Sequence, residues 1–264
     1  MIWQDIEKIR GVNPLVHNIT NYVVMNSSAN ALLALGASPV MAHAIDEVEA
    51  LVDLAGALVI NIGTLSSSWI DAMLQAGRRA RVSGIPVVLD PVGSGTTQFR
   101  TSTSLRLIEE TQPAVIRGNA SEIRALNGAG AITKGVDSQH TPDQALEDAR
   151  QLSTRTGCIV TVSGPVDLIV DGNSKVARVA NGNPMMTKVT GMGCTSSAIT
   201  GAFLAVNQFP FEAAANAMAV MGIAGEMASE QSAGPGSLQL NFLDALYRMK
   251  ESDISRRLKI DYSA

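Results

Sequence analysis

Between Thr187 and Phe203 a Gly-x-Gly turn, Gly191-Met192-Gly193, runs into an apolar-periodic helical pattern with Cys194 at its first turn. Glycines let the backbone turn sharply and let a ligand come close. The first N–H groups of a helix have no intrahelical partner and the helix dipole favours negative charge, so the segment reads as an anion cradle. It lacks the Gly-Lys-Ser/Thr ending of a Walker A loop. It also has Ser196 where a dinucleotide fingerprint needs glycine. A glycine-rich helix entry that serves packing alone would have the same spacing. The dipole at a helix start lowers a thiol pKa, so Cys194 is expected to reach its thiolate near neutrality, as a nucleophile or a general base. A purely packing role is the bland alternative.

Carboxylates come next. Asp90 closes the run Val87-Val88-Leu89, and Glu122 lies in Asn119-Ala120-Ser121-Glu122. Hard oxygen ligands of this kind suit Mg²⁺, which takes one or two carboxylates and fills the rest of its shell with water and phosphate oxygens. The bland readings are an Asp-Pro turn for Asp90 and a first-turn helix charge for Glu122, with Asn119 or Ser121 as cap. Arg117, at the end of an apolar run, offers a fixed guanidinium suited to phosphate. A nucleophilic Cys194 would need a histidine. His17 and His43 fall near strand ends, and His140 sits in a polar loop. Cys158 opens an apolar run and reads as a small core residue.

These residues must be placed by the elements around them. Short β-branched runs at Leu15–His17, Pro39–Ala42, Ala57–Ile62, Pro86–Leu89, Ala114–Arg117 and Cys158–Ser163 predict strands, with Asp167–Val170 and Lys175–Ala180 forming a hairpin. Between most of them lie 3.6-residue patterns: Val23–Leu35, Glu47–Ala55, Ser67–Ser83, Ser104–Glu110, Ser121–Leu126 and Pro142–Thr156. After Thr190 the chain turns Ala/Gly/Met-rich and helical, with no further strand expected. Strand–helix alternation with near-continuous apolar strands predicts a mostly parallel α/β sheet covered on both faces, with one antiparallel segment. Open α/β sheets bind ligands at the carboxyl ends of their strands. Four such ends are polar: Asn61-Ile62-Gly63-Thr64, Asp90-Pro91-Val92-Gly93, Arg117-Gly118-Asn119 and Ser163-Gly164. No repeat or linker divides residues 1–264, so one domain is expected.

Composition narrows the class. The 264 residues carry 20 Lys+Arg against 24 Asp+Glu, a net charge of −4, which argues against phosphate-backbone binding by a nucleic-acid protein. The N-terminus has no signal-length apolar run, and no stretch reaches the ~18–20 apolar residues of a membrane span. Two cysteines exclude a disulfide framework or a Cys-rich zinc site. A cytoplasmic protein without membrane or nucleic-acid partners is expected.

The cradle, the Asn-x-x-Glu segment and the strand-end Asp together resemble the ribokinase-like kinases, whose usual cradle reads Gly-x-Gly-Asp. Cys194 stands at that Asp position, as it does in the hydroxyethylthiazole kinase branch. The rest of the chain is similar to that branch in order: Pro14–Val23, Ala29–Met41, Val59–Leu65, Leu89–Gly93, Val115–Ile123 and Gly135–Ser138. The resemblance implies a ribokinase-like three-layer sandwich and ATP-dependent phosphorylation of 4-methyl-5-(2-hydroxyethyl)thiazole. It further implies a homotrimer with the thiazole between subunits. Carried over by residue, Cys194 takes the hydroxyl proton. Met41 and Gly191 contact the thiazole, with Asn18 and Thr20 nearby. Arg117, Ser163, Asn119 and Gly193 serve ATP, while Asp90 and Glu122 hold Mg²⁺. Rivals are a hydroxymethylpyrimidine kinase or nucleotide-hydrate dehydratase of the same superfamily, a cysteine hydrolase using His17 or His43, and a non-catalytic binding protein.

Overall fold

The computed structural model describes residues 2–128, 142–172 and 174–263. Among the described residues, nine strands form one sheet. In chain order they are β1 (Leu15–Ile19), β2 (Ser38–Met41), β3 (Ala57–Asn61), β4 (Val87–Asp90), β5 (Val115–Asn119), β6 (Ile159–Ser163), β7 (Asp167–Asp171), β8 (Lys175–Val179) and β9 (Ile260–Ser263). Their spatial order is β2-β1-β3-β4-β5-β6-β7-β8-β9. Pairings from β2 to β6 are parallel, and β6–β7, β7–β8 and β8–β9 are antiparallel. The expected β7–β8 hairpin forms, closed by Ser174 N–H donating to Asp171 O at 2.9 Å. Asn173 and the stretch 129–141, with His140 and Gly135–Ser138, lie outside the described residues.

Two helical layers cover the sheet, as the alternation predicts. One face buries Val16, Val59, Val88, Val115 and Ile159 against α1 (Ile2–Val12), α2 (Met25–Leu35), α8 (Met192–Leu204), α9 (Pro210–Ser229) and α10 (Pro235–Arg248). The other buries Leu58, Ile60, Leu89, Ile116 and Val160 against α3 (Val48–Leu54), α4 (Ser67–Ser83), α5 (Gln98–Thr111), α6 (Ala120–Leu126) and α7 (Pro142–Thr156). A short helix, α11 (Glu251–Arg257), leads into β9. Period-two alternation thus sends odd and even strand positions to different cores, which fixes the register.

Two elements depart from the sequence expectation. Strand β9 lies in the region expected to be wholly helical. It pairs with β8 through Val179↔Ile260 to Val176↔Ser263, a contact between segments some eighty residues apart. Helix α1, which was not expected, places Ile2, Ile6 and Ile9 on one buried stripe. Helix α5 also begins six residues before the predicted Ser104, because Thr97 Oγ1 caps it by accepting from Arg100 N–H.

Candidate active site

The polar residues form one row along the carboxyl ends of the parallel strands, on the face that packs against α8. Asn18 (β1), Asn61 (β3), Asp90 (β4), Arg117 (β5) and Ser163 (β6) share the strand parity of the buried Val16, Val59, Val88, Val115 and Ile159. Met41 on the edge strand β2 is the register partner of Asn18, and Ser163 that of Asn119. The residues expected for the alcohol and those expected for ATP therefore occupy opposite ends of one row, with Asp90 between them.

Helix α8 starts over the middle of that row. Its N-cap Gly191 has φ +84°, and a Cβ there would lie 2.6 Å from Val24 Cγ1. A left-handed residue with no room for a side chain must be glycine. A Cβ on Gly193 would lie 2.7 Å from Arg117 Nη1, so the guanidinium lies against the first turn of α8. One turn further along, Ser197 Oγ donates to Asp90 Oδ2 at 2.7 Å.

Asp90 is fully buried, and the same oxygen accepts from Asn61 Nδ2 at 2.7 Å. Burial pushes its pKa up, against the pull of Arg117, Ser197 and Asn61. Glu122 is raised too, by burial first and then by the Asp90 charge. Its Oε1 accepts from Gly93 N–H at 2.9 Å. Its Oε2 accepts from Asn119 N–H at 2.8 Å, closing a capping box with Asn119 Oδ1. Two buried carboxylates with raised pKa values form an oxygen donor set that a divalent cation would relieve. Asp90 Oδ1 accepts no bond among the described residues, and Glu122 keeps lone pairs on both oxygens, so the pair fits Mg²⁺. No group of three His, Cys, Asp or Glu able to hold a metal occurs among the described residues. A cation held by this pair would complete its shell with water and ligand oxygens.

Arg117 is only 8% exposed, makes no hydrogen bond or ion pair among the described residues, and buries Nε without a partner. Asp167 stands beyond it at the start of β7. Its Oδ1 accepts from Gly164 N–H at 2.9 Å, and burial raises its pKa to about 6. Ser163 Oγ donates to Gly118 O at 3.4 Å.

Cys194 differs from expectation. Asn21 Nδ2 reaches its Sγ at 3.4 Å and also donates to Asn61 Oδ1 at 2.8 Å. Burial and then the Asp90 charge push the thiol up to about 11, outweighing Asn61, Asn21 and Arg117. The expected lowering by the helix dipole is overturned, because desolvation and a nearby carboxylate both disfavour the thiolate. Neither histidine serves it. His17 is fully buried on the opposite face, donates Nε2–H to Ala42 O at 2.9 Å, and is held below its usual pKa by burial. His43 stacks with Trp69 at 4.2 Å between ring centroids. Cys158 is buried with a raised pKa, as a core thiol should be. Asn21, Asn61, Ser197 and Asp167 were missed as site residues. Asn61 fell in a polar strand end, Asn21 in the Pro14–Val23 segment, Ser197 in the cradle helix and Asp167 in a predicted strand, but none was given a role there. A groove of about 820 Å³ beside Trp3, Leu33 and Tyr247 is lined by none of these residues.

A parallel sheet with an antiparallel flank, a glycine cradle at α8 and a carboxylate pair beside a buried guanidinium define a ribokinase-like phosphotransferase. Solved pyridoxal kinase from Staphylococcus aureus, bound to AMP-PCP and pyridoxal, shares this fold at TM-score 0.64 and 17% identity, over 95% of this chain and 98% of that one. The model of the hydroxyethylthiazole kinase family matches residues 6–252, and the chain belongs to that family. It is 57% identical to the hydroxyethylthiazole kinase of Syntrophus aciditrophicus over 98% of this chain and 96% of the relative. It is 54% identical to that of Oleidesulfovibrio alaskensis over 98% and 97%. The solved hydroxyethylthiazole kinase protein of Pyrococcus horikoshii matches at TM-score 0.92 and 42% identity, covering 100% of this chain and 99% of that one.

Proposed function

We propose that the protein transfers the γ-phosphoryl group of ATP to the hydroxyl of 4-methyl-5-(2-hydroxyethyl)thiazole, a salvage step toward thiamine. The observation that carries this reading is Arg117: a buried guanidinium that makes no hydrogen bond or ion pair among the described residues, set between a carboxylate pair and a helix N-terminus. A guanidinium left unpaired in the interior is costly unless an anion completes it. Phosphate oxygens fit its fork, and the α8 N–H groups at 192–194 face the same region.

Phosphoryl transfer is mostly positioning and charge stabilisation. Arg117 and the α8 N-terminus take the charge of the transferring group, and Gly193 leaves the space for it. Ser163 and Asn119 flank the nucleotide end. Asp90 and Glu122 would hold Mg²⁺, which when bound neutralises charge between the phosphates. Gly191, Asn18, Thr20 and Met41 line the alcohol end. Cys194 sits between the two ends and accepts the hydroxyl proton. With its pKa near 11 it is a base only in a minor thiolate fraction, about one part in 10⁴ at pH 7.

The trimer implied by the resemblance is supported by the site's edge. Met41 lies on an edge strand, and Val23, just before α2, and Ile45, just after β2, are exposed. A second subunit there would close the thiazole end. No helix among the described residues is long and apolar enough to cross a membrane, and we place the enzyme in the cytoplasm. ADP release with Mg-ATP and the thiazole alcohol, compared with pyrimidine and sugar alcohols, tests the assignment. Preference for a hydroxymethylpyrimidine would replace it with the pyrimidine-alcohol kinase.

A further inference from the structure

Arg100 lies outside the row, in the first turn of α5, half-buried and without a carboxylate partner among the described residues. Its guanidinium instead donates to three main-chain carbonyls on two loops. Nη1 reaches Ile62 O at 2.8 Å and Val92 O at 2.7 Å, and Nη2 reaches Gly63 O at 2.9 Å. These are the loops after β3 and β4. A charged donor makes such bonds strong, and the planar fork sets their directions.

Each tethered loop carries one half of the site. Beyond β3, Gly63 N–H donates to Asn61 Oδ1 at 2.9 Å, the same oxygen that takes Asn21 Nδ2. Asn21 packs directly on Gly63, where a Cβ would lie 2.6 Å from Asn21 Nδ2. Asn21 is in turn the contact of Cys194 Sγ. Beyond β4, Val92 leads into Gly93, whose N–H holds Glu122 Oε1 at 2.9 Å. Gly93 has φ +75°, and a Cβ there would lie 3.1 Å from Arg100 Cδ, so the arginine stem lies over it. The helix end is itself tied to this loop, since Gly95 N–H donates to Thr101 Oγ1 at 2.9 Å.

We propose that Arg100 is a positioning residue that clamps the β3 and β4 loops together, setting Asn21 against Cys194 and Gly93 against Glu122 while touching neither the thiol nor the carboxylates. The kinetic part of this inference rests on the phosphoryl-transfer reading above; the geometric part does not.

The test uses the full chain with Arg100→Ala and Arg100→Lys, in steady-state ADP release and in modification of Cys194 by a thiol-specific aromatic disulfide. A misplaced site costs rate more than binding, so kcat is expected to fall about 10–100-fold. The KM for ATP and for the alcohol should each move by less than about threefold. Methylguanidinium should restore part of the Arg100→Ala rate, and methylammonium at equal concentration should not. Without the Asn21 N–H that favours its thiolate, Cys194 should be modified more slowly in both variants. If Arg100→Ala does not fold, Arg100→Lys carries the same readouts, because an ammonium cannot bond three carbonyls in the fork geometry. Unchanged kcat with only a lower melting temperature would overturn the proposal, as would equal rescue by methylammonium. A wild-type chain that makes no ADP would reject the functional reading alone. The modification rate would then still decide the clamp, and an unchanged rate would overturn it.

Discussion

Replacing Arg117 by Met keeps the stem's bulk and removes a buried charge that makes no hydrogen bond or ion pair among the described residues. In the transition state the guanidinium would make two charge-assisted hydrogen bonds to the transferring phosphoryl group, each about 1.5–3 kcal/mol. Losing both costs about 3–6 kcal/mol, or roughly 10²–10⁴-fold in kcat/KM for ATP. Because no hydrogen bond among the described residues is lost, the melting temperature should move by only a few degrees, about the shift of 1 kcal/mol in a chain of this size. Arg117→Lys should recover part of the rate, since a point charge replaces the fork. The assay is initial ADP formation against Mg-ATP at saturating alcohol, paired with thermal unfolding of the apo chain. A kcat/KM for ATP within about threefold of wild type would refute the placement of this cation at the phosphates. A large loss of stability with unchanged kinetics would instead mark Arg117 as a structural cation.

Two more outcomes follow from the titrating groups. If Cys194 acts as base, kcat should rise with pH through 8 to 10 toward the thiol's value of about 11, and Cys194→Ala should lower turnover, flatten the rise and leave nucleotide binding intact; a wild-type profile already flat over that range would remove the base role. Asp167 has a folded pKa of about 6 against an ordinary 3.8, so its stabilising effect is complete below pH 4 and is lost as pH rises through 6. At pH 7 this amounts to about 3 kcal/mol at most. Asp167→Asn, which keeps the acceptor for Gly164 N–H, should raise the melting temperature above pH 6 and leave it nearly unchanged at pH 4; equal shifts at both pH values would contradict the burial argument.

Much of this was legible in the chain because strand ends and helix starts are local. Asp90-Pro91, Arg117-Gly118-Asn119 and Gly191-Met192-Gly193 announce themselves by turn chemistry, and the parallel sheet rule gathers them at one edge. What escaped depends on distant contacts. The last strand, Ile260–Ser263, exists because β8 offers an edge, not because four residues prefer extension. The bonds from Asn21 to Asn61 and from Ser197 to Asp90 join residues 40 and 107 apart. The thiol shows the same limit in energy. Its helix position was readable and argues for a lower pKa, but burial and Asp90 act through space and win.

The most direct test of the assignment is the product itself. Purified protein with Mg-ATP and 4-methyl-5-(2-hydroxyethyl)thiazole is followed by ADP release and by phosphorus NMR of the ester. We expect one phosphate monoester of the thiazole alcohol per ADP, at a higher kcat/KM than for hydroxymethylpyrimidine or sugar alcohols. ADP release without the ester, or a higher kcat/KM for the pyrimidine alcohol, would contradict it.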